Sequence, residues 1–348
     1  MKISVHRSET IAVVLVMLLL VLLPFVLDPF RLSLVSKYTA FAFVAIGIVL
    51  TWGYGGILSL GQGVFFGGGG YMMAMFLKLE ASAPELPDFM VWSSVEKLPA
   101  WWEPFHSLTL TLLLIFVIPA VLAYLFSYAI FKKRVSGVYF AIVTLALALT
   151  MTVMIVGQQG DTGGANGITD FRTLLGMDII GDASKQVLYI VESVALALVM
   201  LLALFIVRSR FGKILIAIRD SEDRVQFSGY NTAHMKAFVF AVAAVLSSIG
   251  GAFFSLQVGL ISPTVVGVVA SIEMVIYAAV GGRMSISGAV IGALLIGFLK
   301  SYLSEAFPEG WLYFLGALFI LVVVVMPNGL AGLVDRAINA RLKTAGPQ

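Results

Sequence analysis

Apolar positions in this chain come in long unbroken stretches, not in the alternation of a strand or the single stripe of a soluble helix. They fall near residues 11–27, 38–52, 57–77, 107–130, 135–156, 187–207, 236–260, 264–281, 286–303 and 311–326, with short polar segments between. Most run ~17–25 residues, enough for a helix rising about 1.5 Å per residue to cross a hydrocarbon core ~30 Å thick. The pattern predicts an all-α polytopic membrane protein of about ten transmembrane helices, forming one domain over residues 1–348. Stretches 38–52 and 311–326 are short, and the break between 260 and 264 leaves room for a re-entrant piece. No small-residue cleavage site follows the first stretch, and further spans come directly after it, so it is expected to remain as an anchor.

Composition agrees. Of 348 residues, 60% are apolar and 12% charged, about half the charged share of an ordinary soluble domain. Without cysteine there is neither a disulfide nor a thiolate metal site. The net charge of +3 matters only through its placement. With the N-terminus inside, fifteen basic residues fall on the inner side: Lys2, Arg7, Lys132, Lys133, Arg134, Arg208, Arg210, Lys213, Arg219, Arg224, Lys236, Arg283, Arg336, Arg341 and Lys343. Seven fall outside: Arg31, Lys37, Lys78, Lys97, Arg172, Lys185 and Lys300. This bias puts both termini in the cytoplasm, with 78–106 and 157–186 as outer loops and 208–235 as the main inner loop.

Between the second and third stretches glycines crowd at positions 53, 55, 56, 61, 63, 67, 68, 69 and 70. In a bilayer such a segment must stay helical, be buried in protein or line a wet cavity, because unpaired backbone has no water to turn to. Gly61, Gly68 and Gly70 are expected to let a neighbouring backbone approach, and Ser59 and Gln62 supply uncharged hydrogen-bonding groups. Two compatible readings stand: tight packing, and a broken helix at a transport pathway. No Lys-Ser/Thr follows the glycines and no strand precedes them, so a phosphate-binding loop is excluded.

The outer loops differ in character. The first holds Pro84, Pro87, Pro99 and Pro104 with Trp92, Trp101 and Trp102, residues suited to the headgroup level. His106 has no second ligand at a useful spacing for a metal. The second, QGDTGGANGITDFR at 159–172, is rich in turn formers around Asn166 and reads as an outer gate, a docking surface or a plain connector. The inner loop carries mixed charge on an apolar-faced segment. Asp220 with Arg224 and Arg219 with Asp223 stand four apart on an expected short helix, which Gly229 would end. Such a helix, held between two spans, offers an energy-supplying partner something to grip; flanking charge alone is the alternative. Interleaved Asp220, Glu222 and Asp223 exclude nucleic-acid binding.

Within the apolar stretches lie two carboxylates. Glu192, near the start of its span, is expected to reach the outer interface; Glu273 lies deeper and is a candidate for pathway or gating, or for a contact with a neighbouring helix. With no basic residue securely mid-span, an uncharged polar cargo driven by an external energy source is the expectation.

Five segments carry a family likeness: GGANGITDF at 163–171, FGKILIAIRDSEDRVQFSGYN at 211–231, QVGLISP at 257–263, SIEMVIYAAVGGRMSISGAVIGA at 271–293 and AFPEGWLYFLGALFILVVVVMPNGL at 306–330. They resemble the LivM-type permease subunits of branched-chain amino acid and urea ABC importers, most closely the urea branch. The resemblance implies a LivM-like permease fold in the bacterial inner membrane. Its expected partners are a second homologous permease, two cytoplasmic ATPase subunits and a periplasmic solute-binding protein. ATP and magnesium would belong to the ATPases, leaving this chain no cofactor and no catalytic group. Arg219, Asp220, Asp223, Arg224 and Gly229 match the region that couples to the ATPases, and Ser59, Gln62, Asn166 and Glu273 are the expected pathway residues. The expected cargo is urea; short-chain amides and branched-chain amino acids are the alternatives. An ion-coupled secondary carrier or a passive urea channel is the alternative of another class, although two separated glutamates make a poor ion relay.

Overall fold

Local sequence sets several helix starts. Asp28 accepts from the Arg31 amide ahead of the helix Pro29–Ile48, Ser209 from Gly212 ahead of Arg210–Asp220, Asn231 from His234 ahead of Thr232–Val258, and Ser285 from Gly288 ahead of Ile286–Ala306. Each side chain satisfies a backbone N–H that the first helical turn leaves open. The computed structural model describes residues 2–179, 181–326 and 328–333. Arg336, Arg341 and Lys343, counted above in the charge bias, lie outside the described residues, as do the side chains of Lys2 and Arg7.

The order is α1 (Lys2–Leu22), α2 (Pro29–Ile48), α3 (Gln62–Ser82), α4 (Asp88–Trp92), α5 (Leu108–Lys132), α6 (Val138–Gly157) and α7 (Gln159–Thr162). A two-residue antiparallel hairpin, β1 (Thr173–Leu174) and β2 (Met177–Asp178), precedes α8 (Asp182–Arg208), α9 (Arg210–Asp220) and α10 (Glu222–Phe227). Then come α11 (Thr232–Val258), α12 (Val268–Gly281), α13 (Ile286–Ala306) and α14 (Trp311–Val325). The expected helical class holds, with the small hairpin as an addition.

The expected count of about ten spans does not follow from length and apolarity. Among the described residues six helices are long and apolar enough to cross a membrane: Pro29–Tyr54, Leu108–Lys132, Val138–Gly157, Asp182–Arg208, Thr232–Val258 and Ile286–Ala306. The others fall short for identifiable reasons. Apolar segments Glu9–Phe25, Val268–Gly281 and Trp311–Val322 are short, and α3 is diluted by glycine and carries Lys78 and Glu80. The re-entrant piece suspected near 260–264 is a 3-10 turn, Pro263–Val265, before the 14-residue α12.

α11 is the hub, packed against α2, α3, α5 and α8. Its own glycines and serines make that possible. A Cβ on Gly251 would stand 1.7 Å from the Phe66 carbonyl oxygen of α3, and one on Gly69 of α3 would stand 2.0 Å from the Ser248 carbonyl oxygen. Backbones therefore touch directly, the small-residue packing that stands in for the hydrophobic effect inside lipid. Hydroxyls of α11 add hydrogen bonds across helices, Ser248 to the Ile115 carbonyl at 2.9 Å and Ser255 to the Gly70 carbonyl at 3.0 Å. Gly61 and Gly70 pack as expected, but a Cβ on Gly68 would meet nothing within 4 Å. Gly68 faces away from the helices that its neighbours grip.

The outer loops lock onto each other. Trp102 is fully buried and donates to the Asp161 carbonyl at 3.0 Å, so it pins the two loops together where the sequence suggested a headgroup position. Ile168 and Ile261 exchange backbone hydrogen bonds at 2.9 and 3.0 Å, joining the 163–171 segment to 257–263. The Glu80 carboxylate accepts from the Leu175 and Gly176 amides of the hairpin turn at 2.9 and 2.7 Å.

Packing at α3–α11 generates a paired prediction. Gly251→Ala should lower the thermal stability of the detergent-purified protein by about 1–3 kcal/mol through overpacking. Gly68→Ala should be neutral or stabilise by up to ~1 kcal/mol through helix propensity. Equal shifts of the melting temperature in the two variants would refute the close-approach assignment.

Candidate functional site

The glycine-rich segment is a helix break held together by side chains. α2 ends in a π-helical turn, Val49–Tyr54, and residues 55–61 are not helical before α3 begins. Amides of the break and of the first turn of α3 find side-chain partners. The Leu60 amide donates to Thr144 Oγ1 of α6 at 3.0 Å, the Gly61 amide to Ser59 Oγ at 3.3 Å, and the Gly63 amide to Ser271 Oγ of α12 at 3.1 Å. A Cβ on Gly61 would lie 2.3 Å from the Thr144 carbonyl oxygen. The break is thus clamped between α6 and α12: the glycines pack tightly, and the helix is interrupted.

A cavity of about 700 Å³ is walled by α2, α6, α11, α12, α13 and the start of α14. Its charged members are Lys37, Glu273 and Lys300. Glu273, 4% exposed, forms an ion pair with Lys300 at 2.7 Å, and the Lys300 ammonium also sits 4.8 Å from the Trp311 ring centroid. The Tyr38 hydroxyl donates to Ser301 Oγ in the same wall. Phe41, Leu149, Phe254 and Val265 make the rest of it apolar. Lys300 lies within α13, six residues before its end, and so supplies the buried carboxylate with a cation that the sequence reading did not pair with it. The turn of 282–285 folds α13 back along α12, so a carboxylate in one helix meets a cation in the other.

At the opposite end, α9 reaches the same helices. The Arg219 guanidinium donates to the Gly53 carbonyl at 2.7 Å and approaches Met284 Sδ at 3.1 Å. The Tyr54 hydroxyl donates to the Met284 carbonyl at 2.9 Å, and a Cβ on Gly53 would lie 1.7 Å from the Arg283 carbonyl oxygen. One residue therefore ties the inner loop to the α2 break and to the α12–α13 turn. The two expected pairs on a single short helix do not form among the described residues. The chain extends at Ser221 (φ −161°, ψ 88°), splitting α9 from α10, and Arg219 pairs instead with its neighbour Asp220 at 2.9 Å. Gly229, at φ +87°, follows the end of α10. Asp220, Asp223, Arg224 and Gly229 are exposed.

Of the four expected pathway residues only Glu273 lines this cavity. Ser59 and Gln62 are buried at the break, Gln62 accepting from the Ser247 hydroxyl at 3.0 Å. Asn166 is exposed on the outer loop. Glu192 does not reach an interface; it is fully buried and accepts from Gln257 Nε2 at 3.2 Å, because α11 covers that face of α8. Sequence reasoning missed Lys300 and Tyr38. The signal was Lys300 inside an apolar stretch one short turn after the stretch that holds Glu273.

The family model described as "branched-chain amino acid transport system / permease component" matches residues 30–323. The chain belongs to this permease family. Its relatives include the high-affinity branched-chain amino acid transport system permease protein BraD of Pseudomonas aeruginosa, 31% identical over 38% of this chain and 43% of BraD. LivH of Escherichia coli is 26% identical over 55% of this chain and 64% of LivH. LivM of E. coli is 23% identical over 93% of this chain and 75% of LivM. The chain thus spans less than two thirds of BraD and LivH. No solved structure matches. Permease membership and the apolar helices together make this a multi-pass membrane protein.

The ion pair yields a testable asymmetry. Lys300→Met leaves the Glu273 carboxylate buried without its ion-pair partner, a loss of at most ~3–5 kcal/mol, reduced because the Lys300 side chain stays 33% exposed. Glu273→Gln combined with Lys300→Met should recover most of that stability. Thermal unfolding of the single and double variants checks it, and a double variant no more stable than the single one would rule out the pairing.

Proposed function

We propose that this chain is the membrane-spanning permease subunit of an ATP-driven importer, and that its cargo is a small zwitterionic amino acid with a branched apolar side chain. The observation that carries this reading is the Glu273–Lys300 pair in the wall of an otherwise mostly apolar cavity. A zwitterion stripped of water needs a carboxylate for its ammonium and a cation for its carboxylate. Glu273 and Lys300 can exchange each other for the two ends of the cargo, with Lys37 as a second cation, while Phe41, Leu149 and Phe254 receive the aliphatic part. The relatives' names, which specify branched-chain amino acids, support the same class. Urea and short amides, expected from the resemblance, bring no charge to replace the pair, and Ser59 and Gln62 lie away from the cavity.

The energy source in this reading is a pair of cytoplasmic ATPase subunits, with ATP and magnesium bound there, a second homologous permease alongside and a solute-binding protein above the interlocked outer loops. Both termini face the cytoplasm, with 78–106 and 157–186 periplasmic and 208–235 cytoplasmic. α1, α3, α12 and α14 complete a membrane domain of about ten spans. The ATPases grip α9 and α10, where Phe227 is 93% exposed. Movement of α9 then acts through Arg219 on the α2 break and on the α12–α13 turn. Glu273 lies eight residues from Gly281 at the end of α12, about 12 Å along the helix axis, so a shift of the turn changes the position of the pair.

The test is uptake of labelled leucine, urea and acetamide by vesicles holding the assembled importer. ATP-dependent leucine uptake is expected, and urea uptake without leucine uptake would reject the cargo assignment. Arg219→Ala should lower uptake about tenfold, consistent with losing one charged hydrogen bond, with ATP hydrolysis and membrane insertion retained. Unchanged uptake in Arg219→Ala would remove the coupling role.

A further inference from the structure

Two further cavities lie along α11, the smaller meeting the cargo cavity at Val258. The larger is an apolar groove of about 1000 Å³ between α5, α8 and α11, reached by Phe116, Val191, Ala195 and Phe253 and closed at one end by Leu174 and Met177 of the β-hairpin. The smaller, about 260 Å³, is polar and includes Asp170, Arg172, Lys185 and Gln257 in its lining. The two share Leu256. They are also continuous along the chain: Gln257 follows Leu256, Lys185 precedes Val187 by two residues, and Arg172 precedes Leu174 by two.

The polar pocket has cations at its rim and an open acceptor in its wall. Arg172 and Lys185 form no ion pair among the described residues. Gln257 is 8% exposed; its Nε2 is committed to Glu192, and its Oε1 is buried without a hydrogen-bond partner. The Asp170 carboxylate accepts from the Thr169 hydroxyl at 2.8 Å. An occupant of this pocket therefore carries one negative charge for Arg172 and Lys185, and a hydroxyl that can donate to Gln257 Oε1. Asp170 opposes a second negative charge.

We propose that these joined cavities bind one anionic phospholipid of the phosphatidylglycerol type. Its phosphodiester lies between Arg172 and Lys185, its glycerol hydroxyl donates to Gln257, and its acyl chains fill the groove along α8 and α11. Basic pockets between membrane helices take acidic headgroups by this combination of charge and apolar surface. A transmembrane helix from another subunit would satisfy the groove but would bring neither the charge nor the hydroxyl. The lipid would hold the β-hairpin, α8 and α11 together.

The experiment is native mass spectrometry of the full chain, purified from membranes and titrated with phosphatidylglycerol or phosphatidylcholine. Selective retention of phosphatidylglycerol is expected. Arg172→Ala with Lys185→Ala should weaken it about 30-fold, roughly fivefold for each cation, and Arg172→Lys with Lys185→Arg should restore most of it. Ala195→Trp, which fills the groove and leaves the cations in place, should lower retention as well. Equal retention of both lipids, or of phosphatidylglycerol by the double alanine variant, overturns the proposal. So does cross-linking of a single cysteine at position 191 to a helix of another subunit in native membranes. None of these readouts depends on which cargo is carried.

Discussion

Backbone amides that leave a helix inside a low-dielectric layer must be met by other protein groups, and the rest of this structure is arranged around one place where that demand is acute. Residues 55–61 lie between a π-helical turn and α3, surrounded by apolar side chains. Thr144 comes from α6 and Ser271 from α12, each to satisfy a single amide. These two helices are consequently fixed against the break. An unsatisfied amide there would cost several kcal/mol in a bilayer, more than any one glycine contact contributes. The break is a meeting point of four elements, and a change in one of them is felt by the others.

α11 solves a different version of the same problem. Lipid chains are as apolar as leucine, so helices in a membrane gain little from hiding apolar faces and must instead fit closely. Glycines at 250 and 251 bring α11 onto the carbonyls of α2 and α3, while Ser247, Ser248 and Ser255 hydrogen-bond to their neighbours. A hub built this way is rigid. The α12–α13 turn is where the inner loop reaches this packing, since Arg283 and Met284 touch Gly53, Tyr54 and Arg219.

Much of this was legible in the sequence, and what was not has a common cause. Apolar stretches located most long helices to within about five residues, because burial in lipid leaves a one-dimensional record, though α1 and α2 each begin nine residues before their stretch. The glycine run announced a broken helix, and Gly229 a helix end. Relations between distant positions left no such record. Glu273 was visible as a costly carboxylate, but its partner Lys300 stands 27 residues away on the returning helix. Arg219 was read for Asp223, four residues on, whereas its contacts are Asp220, Gly53 and Met284. Glu192 could be placed near one end of its span, yet nothing in a linear pattern says that Gln257 lies over it. Gly68 sits in a row of four glycines and alone meets no neighbour, since helical rotation decides which of them face α11.

The position of the ion pair bears on how such a passage stays shut without cargo. An isolated carboxylate in the cavity wall would draw in water or cations, and an isolated ammonium would draw in anions; joined, they present little net charge and hold α12 against α13. Desolvation offsets much of the attraction between two such groups, so a buried pair is seldom a strong source of stability. That near balance is useful in a transport pathway. A ligand carrying both charges can replace the pair at small net cost, whereas an ion of either sign leaves one partner unmatched. In the proposed reading selectivity against simple ions therefore needs no separate filter: it follows from requiring two opposite charges and an apolar body in one molecule.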